Sequence, residues 1–236
     1  MTDDSESNNA IIVFARFPVK GKVKTRLAKE VGIDVATSFY RVCAEHTFDE
    51  ILKLDKMAVA AYLFFSEESE YDEVRNWTKN NFQYYAQQGH DLGERMLHAF
   101  NTIFNAGFRN AILVGTDTPG ISAELIYAAF SLLKKNECVI GPSDDGGYYL
   151  IGLKQSLFYL FNEMEWSTNE VFNKTLERLE RNHLDYIVME KMIDIDTKDD
   201  IKKWSENYKR TFSHPVKSFL IENNLVTNEK GLDSLN

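Results

Sequence analysis

The run AIIVFA, Ala10 to Ala15, is uninterrupted apolar sequence, and RFPVKGKVKTRLAK, Arg16 to Lys29, follows it directly. Short continuous apolar runs are the pattern of strands buried on both faces of a parallel sheet. The segment after it carries six Lys or Arg and no acid, in a chain whose formal net charge is -9. Charge runs are ordinarily solvated surface. Position argues for more, because the carboxyl end of a strand in an open α/β sheet is where anionic ligands bind. Pro18 and Gly21 shape the loop, and Lys24-Thr25-Arg26 falls at the expected start of the next helix, where free N–H groups and the macrodipole favour an anion. Arg26 is suited to grip two phosphate oxygens, and Lys24 to act as a mobile point charge. Gly21, Lys24, Thr25 and Arg26 are therefore candidate phosphate-binding residues. Neither G-x-x-x-x-G-K-[ST] nor G-x-G-x-x-G is present, so the two familiar phosphate loops are not indicated.

Outward from this stretch, strands and helices alternate, the signature of a mainly parallel sheet covered by helices on both faces. The spacing predicts helices over 34–54, 68–80, 91–106, 122–135 and 168–181, and one from Lys198. It predicts strands at 57–65, 82–86, 111–114 and 184–189. A fifth strand is expected from Cys138 to Ile140, running through Pro142-Ser143-Asp144-Asp145-Gly146-Gly147 and continuing as Tyr148 to Leu153. Asp91 with Glu94, Ser122, and Thr197 with Asp200 are placed as helix caps. The expected organisation is a leader at 1–9, one α/β domain at 10–204, and a peripheral extension at 205–236 with a short helix around Val216 to Ile221.

At 236 residues, 44% hydrophobic and 27% charged, the composition is that of an ordinary globular protein. The excess of 36 Asp plus Glu over 27 Lys plus Arg argues against a nucleic-acid surface. No stretch approaches the roughly 18 to 20 apolar residues of a membrane span. The polar, acidic start MTDDSESNNA is unlike a signal peptide, so a cytoplasmic location is expected. Cys43 and Cys138 lack the spacing of a disulfide framework or a zinc site and read as buried thiols.

Acidic residues follow several strands: Asp117, the pair Asp144 and Asp145, and Asp194 with Asp196. Aspartates in loops often turn the chain or cap helices. Proteins that activate a diphosphate also use one or two carboxylates to hold a divalent cation, and Asp117, at the end of an apolar strand and pinned by Pro119, is the first candidate. Gly146 and Gly147 allow a close backbone approach or positive φ. Of Tyr148 and Tyr149, only one can face a ligand. Arg95, in the first turn of its helix, opposes the dipole and answers either an anion or Glu94 or Asp91. His90 has no visible Ser-His-Asp or Cys-His set around it.

Six motifs in order, FARFPVKGKVKTRLAKEVG, QQGHDLGERM, VGTDTPGI, DDGGYYLIGL, EWSTNEVF and DIDTKDDI, resemble a family of small bacterial transferases with a glycosyltransferase A-type fold. That family is related to molybdenum cofactor guanylyltransferases and phospholactate guanylyltransferases. The likeness covers about Ile11 to Trp204. It implies a nucleotide-diphosphate-binding, three-layer Rossmann-like domain and a divalent metal, Mg²⁺ or Mn²⁺. It implies that Arg16, Lys24 and Arg26 meet the phosphates and that Asp117 takes the metal position of the Asp-x-Asp motif. Here the motif reads Thr116-Asp117-Thr118, with one acid, so Asp145, Asp196 or water would complete the metal site. Arg95, Gly146 and Gly147 complete the candidate nucleotide contacts, and Asp144 or Asp145 is the candidate base for an acceptor hydroxyl. The expected activity is transfer from a nucleotide-diphospho-sugar. The alternatives are nucleotidyl transfer from a nucleoside triphosphate to a phosphorylated small molecule, and a non-catalytic nucleotide-binding module.

Overall fold

A computed structural model describes residues 8–66, 68–207 and 214–227. The leader expected at 1–9 lies outside the described residues up to position 7, whereas Asn9 already pairs with Val59 and Asn110. The strands are β1 (Asn9–Ala15), β2 (Val59–Phe65), β3 (Gln83–Ala86), β4 (Asn110–Val114), β5 (Cys138–Pro142), β6 (Tyr148–Leu153) and β7 (Tyr186–Val188). The helices are α1 (Thr25–Val31), α2 (Ile33–Leu52), α3 (Tyr71–Trp77), α4 (Leu92–Asn105), α5 (Ala123–Leu133), α6 (Phe158–Phe161), α7 (Val171–Arg181), α8 (Lys198–Asn207) and α9 (Pro215–Glu222).

The strands form one sheet in the order β3-β2-β1-β4-β6-β5-β7. All pairings are parallel except those of β6, which runs antiparallel to both β4 and β5. AIIVFA is thus a central strand, paired on both sides, as its apolar run predicts. Alternation along it supplies two cores. Ile11 and Val13 face one side with Phe48 and Ile51 of α2 and Ile126 and Phe130 of α5. Ala10 and Ile12 face the other with Phe100 and Ile103 of α4, Phe161 of α6 and Leu179 of α7. A third cluster joins Leu27 of α1, Phe39 and Cys43 of α2, Ile201 and Trp204 of α8, and Val216 and Leu220 of α9. Each fully buried Leu, Ile, Val or Phe among these is worth about 1.5–3 kcal/mol relative to exposure. The described part of 205–236 after residue 207 therefore contributes buried side chains.

The chief difference from the sequence reading is at Ser143 to Gly147. This stretch is a hairpin turn, not a passage through one strand, and it is why β6 enters the sheet antiparallel. Asp145 Oδ1 accepts from Ser143 Oγ at 2.6 Å and from Gly147 N at 2.9 Å. Gly146 takes φ +89, and a Cβ there would stand 2.2 Å from the carbonyl oxygen of Asn169. The paired glycines thus serve the turn and its packing. Other elements are shorter than their apolar patterns suggest. The helix expected at 68–80 is Tyr71–Trp77, followed by left-handed Lys79 and Asn80. The helix expected at 168–181 starts at Val171, and β2 starts after left-handed Ala58. The four-residue α6 is too short to show a period.

Candidate functional site

A cleft of about 940 Å³ opens at the carboxyl ends of β1 and β4. Tyr40 of α2 holds its floor together. The Tyr40 hydroxyl accepts from Arg16 N at 2.9 Å, donates to Arg16 O at 3.1 Å, and shares a 3.2 Å hydrogen bond with Thr116 Oγ1. The loops after β1 and β4 are thereby fixed to each other through a helix. Burial, reinforced by the Asp117 carboxylate, pushes the Tyr40 hydroxyl up to about 12, so it stays protonated.

At the centre of one wall is Lys24. It caps α1 in the left-handed conformation, φ 46 and ψ 46, uncommon for a residue with a Cβ. Its side chain is 3% exposed, and Nζ lies 2.7 Å from Asp117 Oδ1 and 2.9 Å from Asp196 Oδ1. Burial alone would lower the Lys24 ammonium; the two carboxylates outweigh burial and hold it well above the usual lysine range. Arg26 is exposed, with Nη1 3.8 Å from Asp196 Oδ2.

Asp117 and Asp196 come from distant stretches, and Ile195 N donating to Asp117 O at 3.3 Å joins them. Beyond Asp196, Asp200 Oδ2 accepts from Thr197 N at 2.9 Å while Asp200 N donates to Thr197 Oγ1 at 3.3 Å, the reciprocal cap expected from sequence. Asp194 also lines the cleft and accepts from the Thr118 hydroxyl. Burial raises its carboxyl to about 7, with Asp117 and Asp145 adding to the shift.

The opposite wall is the start of α4 and the segment before α7. Asp91 caps α4 by accepting from Glu94 N at 2.8 Å, and Glu94 Oε2 accepts from His90 N at 2.8 Å, one residue earlier than a standard capping box. Arg95 Nε donates to Gly89 O at 3.1 Å. Trp166 packs on Gly93, where a Cβ would stand 2.6 Å from the indole ring. Trp166 Nε1 has no hydrogen-bond partner among the described residues.

Of the residues singled out in the sequence, Arg16, Lys24, Thr25, Arg26, Arg95, Asp117 and Asp196 line this cleft together. Gly21, Asp144, Asp145, Gly146 and Gly147 do not line it. Gly21 forms a turn at φ +75, Asp144 faces Lys191 at 3.7 Å, and Asp145 is engaged in the hairpin turn. Asp194 is the carboxylate that the sequence reading named only as part of a cluster. Tyr40 was legible only as a helix-core residue, and Trp166 only as part of a motif. Both Tyr148 and Tyr149 border the cleft, although Tyr149 is otherwise core, its hydroxyl donating to Glu190 O at 3.0 Å.

Among the described residues no group of three or more His, Cys, Asp or Glu is arranged to hold a metal ion, so a cation cage built from protein alone is not formed. Asp117 and Asp196 do fit a cation taken together with substrate phosphates, which needs only one or two carboxylates. Each is about half exposed, at 50% and 47%, and each directs an oxygen at the same point.

The family model described as uncharacterized protein conserved in bacteria (DUF2064) matches residues 49–168, just over half of the chain. The chain belongs to the DUF2064 family. That match runs from the end of α2 to just past Trp166 and includes Arg95 and Asp117, while the basic loop and Asp196 lie outside it. A DUF2064 assignment accords with the solved structures it resembles. A protein of Desulfovibrio desulfuricans G20, provisionally described as a nucleotide-diphospho-sugar transferase, is 31% identical, with a TM-score of 0.84 over 92% of this chain and 96% of that one. A cytidylyltransferase from Leptospira borgpetersenii is 16% identical, with a TM-score of 0.56 over 95% of this chain and 99% of that one. The 4-diphosphocytidyl-2C-methyl-D-erythritol synthase of Anaerococcus prevotii is 13% identical, with a TM-score of 0.56 over 89% of this chain and 100% of that one. At that identity the last two show a shared fold alone, and the nucleotide-diphospho-sugar transferase-like α/β fold rests on the Desulfovibrio structure. No curated protein matches the chain. No helix among the described residues is long and apolar enough to cross a membrane.

Proposed function

We propose that this DUF2064 protein is a transferase acting on a nucleotide-activated substrate, with a nucleotide-diphospho-sugar as donor and Mg²⁺ or Mn²⁺ as cofactor. The observation that carries the reading is the meeting, in one cleft, of the basic loop after β1 with Asp117 and Asp196. Arg16, Lys22, Lys24 and Arg26 bring positive charge to the place where a diphosphate would leave, and charge gathered at such a place is what stabilises the leaving group. Asp117 and Asp196 would hold the cation, which supplies Lewis-acid charge at the diphosphate when bound. Asp194, facing the cleft and oriented by Thr118, is better situated than Asp144 or Asp145 to accept a proton from an acceptor hydroxyl. A nucleotidyl transfer would use the same cations and carboxylates, and the cytidylyltransferase fold favours it as the second reading.

The test is a thermal-shift panel of nucleoside diphosphates, nucleoside triphosphates and nucleotide sugars, each with and without Mn²⁺, followed by product analysis. Donor cleavage releasing a nucleoside diphosphate supports glycosyl transfer, and pyrophosphate release supports the second reading. The absence of both stabilisation and cleavage rejects both readings. Lys24→Ala with Arg26→Ala should weaken nucleotide binding several-fold to a hundredfold or more, since each charge-assisted bond is worth roughly 1.5–3 kcal/mol.

A further inference from the structure

Within one basic loop, Arg26 is open to the cleft while Lys24 is enclosed, at 76% and 3% side-chain exposure. The enclosed ammonium is within 3 Å of an oxygen from each of two carboxylates brought from far along the chain, Asp117 at 2.7 Å and Asp196 at 2.9 Å. The two carboxylates are themselves about half exposed, at 50% and 47%, so a point shared by their oxygens is also where a small divalent cation would be held together with a phosphate. One covalently tethered cation already stands there. An uncompensated pair of carboxylates would repel each other, and a divalent ion entering beside Lys24 would meet a like charge at contact distance.

We infer that Lys24 is a built-in counter-cation for Asp117 and Asp196, competing with a divalent ion for the same two carboxylates. This rests on the reading of the cleft as a nucleotide-diphosphate site. Its consequence is ordered chemistry at that site: Lys24, on a flexible four-carbon stem, exchanges its carboxylate partners for the incoming diphosphate, and the carboxylates then accept the cation. Cation and nucleotide therefore enhance each other's binding by a common factor, as linkage requires.

Mn²⁺ alone is titrated into wild type, Lys24→Gln and Lys24→Met, with bound and free ion separated by electron paramagnetic resonance. Both variants should hold Mn²⁺ at least tenfold more tightly than wild type, and adding Asp117→Asn to Lys24→Gln should remove the gain. Folded variants, verified by circular dichroism, with Mn²⁺ affinity equal to or below wild type would overturn the inference. Should both variants fail to fold, wild type decides: Mn²⁺ must tighten binding of the best nucleoside diphosphate among ADP, GDP, CDP and UDP at least tenfold, and an absence of coupling refutes the counter-cation. If none of the four binds while the Lys24 variants gain Mn²⁺, the counter-cation stands and the nucleotide reading fails.

Discussion

His214 Nε2 lies 3.0 Å from the carbonyl oxygen of Pro119, so the residue that caps α9 also touches the loop bearing Asp117. Val216 N donates to His214 Nδ1 at 3.2 Å, which leaves Nε2 as the protonated nitrogen and the donor to Pro119. His214→Ala removes both bonds and should cost about 1–3 kcal/mol by urea unfolding, combining a lost cap with a lost buried hydrogen bond. His214→Asn keeps a side chain that caps helices well but is too short to reach Pro119. It should recover only the capping part, and equal losses in the two variants would contradict the bond to Pro119.

The neighbouring His46 ring, 4.3 Å from that of His214, predicts a pH dependence. Burial is the main cause of its lowered pKa, opposed by Glu50 and Asp49 and by a backbone hydrogen bond to Ile121, and supported by Lys53. The unfolded chain takes up the proton near the ordinary value of 6.5, while the folded protein holds the ring neutral to lower pH. The unfolded state then binds more protons, so the stability tied to this ring is intact above 6.5 and drains away as pH falls below it. Urea midpoints followed downward from pH 7.5 should decline more steeply in wild type than in His46→Gln. Parallel curves would show that His46 titrates alike in both states.

Gly93→Ala sets two effects against each other. In an open helix interior the change gains about 1 kcal/mol, but here the added carbon would lie 2.6 Å from both the Trp166 ring and the Phe161 carbonyl oxygen. Overpacking of this kind costs roughly 1–3 kcal/mol, and because one of the two neighbours is backbone, the clash should win. The variant should be destabilised, with altered tryptophan fluorescence as Trp166 shifts. A stabilised variant would mean that the α4–Trp166 contact is loose.

What the sequence could and could not convey follows from the range of each interaction. AIIVFA read correctly as a central strand because burial on both faces is written in consecutive residues, and the Asp91, Ser122 and Thr197 caps were legible because each closes within three positions. The basic loop was legible as charge. Its inner partition was not, since Lys24 meets Asp196 across 172 positions. The turn at Asp145-Gly146-Gly147 was hidden for a related reason: the residue types that admit a ligand also make a tight hairpin, and only the pairing of β6 with β4 and β5 reveals the hairpin. Asp194 gained its distinction from burial beside Asp117, which no local pattern records.

Arg178 offers a last prediction, about how the second wall of the cleft is held. Its Nη1 donates to the carbonyl oxygens of Tyr159, Leu160 and Asn162 at 3.0, 3.2 and 2.6 Å, and Nη2 donates to that of Glu163 at 2.9 Å. Carbonyls at the end of α6 have no helical partner of their own, and a cation there also suits the helix dipole. The chain then turns through left-handed Glu163 and delivers Trp166 to the cleft. Arg178→Ala leaves these carbonyls to water where water can reach and should cost roughly 2 kcal/mol, fewer bonds being lost outright than are broken. Arg178→Lys keeps the charge but replaces a planar fork with a point donor, so it should recover only part of that. Because the anchor is local, amide exchange should accelerate across 159–166 well before it does in α4. Uniform acceleration over both segments would mean that Arg178 supports the core at large and that Trp166 is positioned by Gly93 alone.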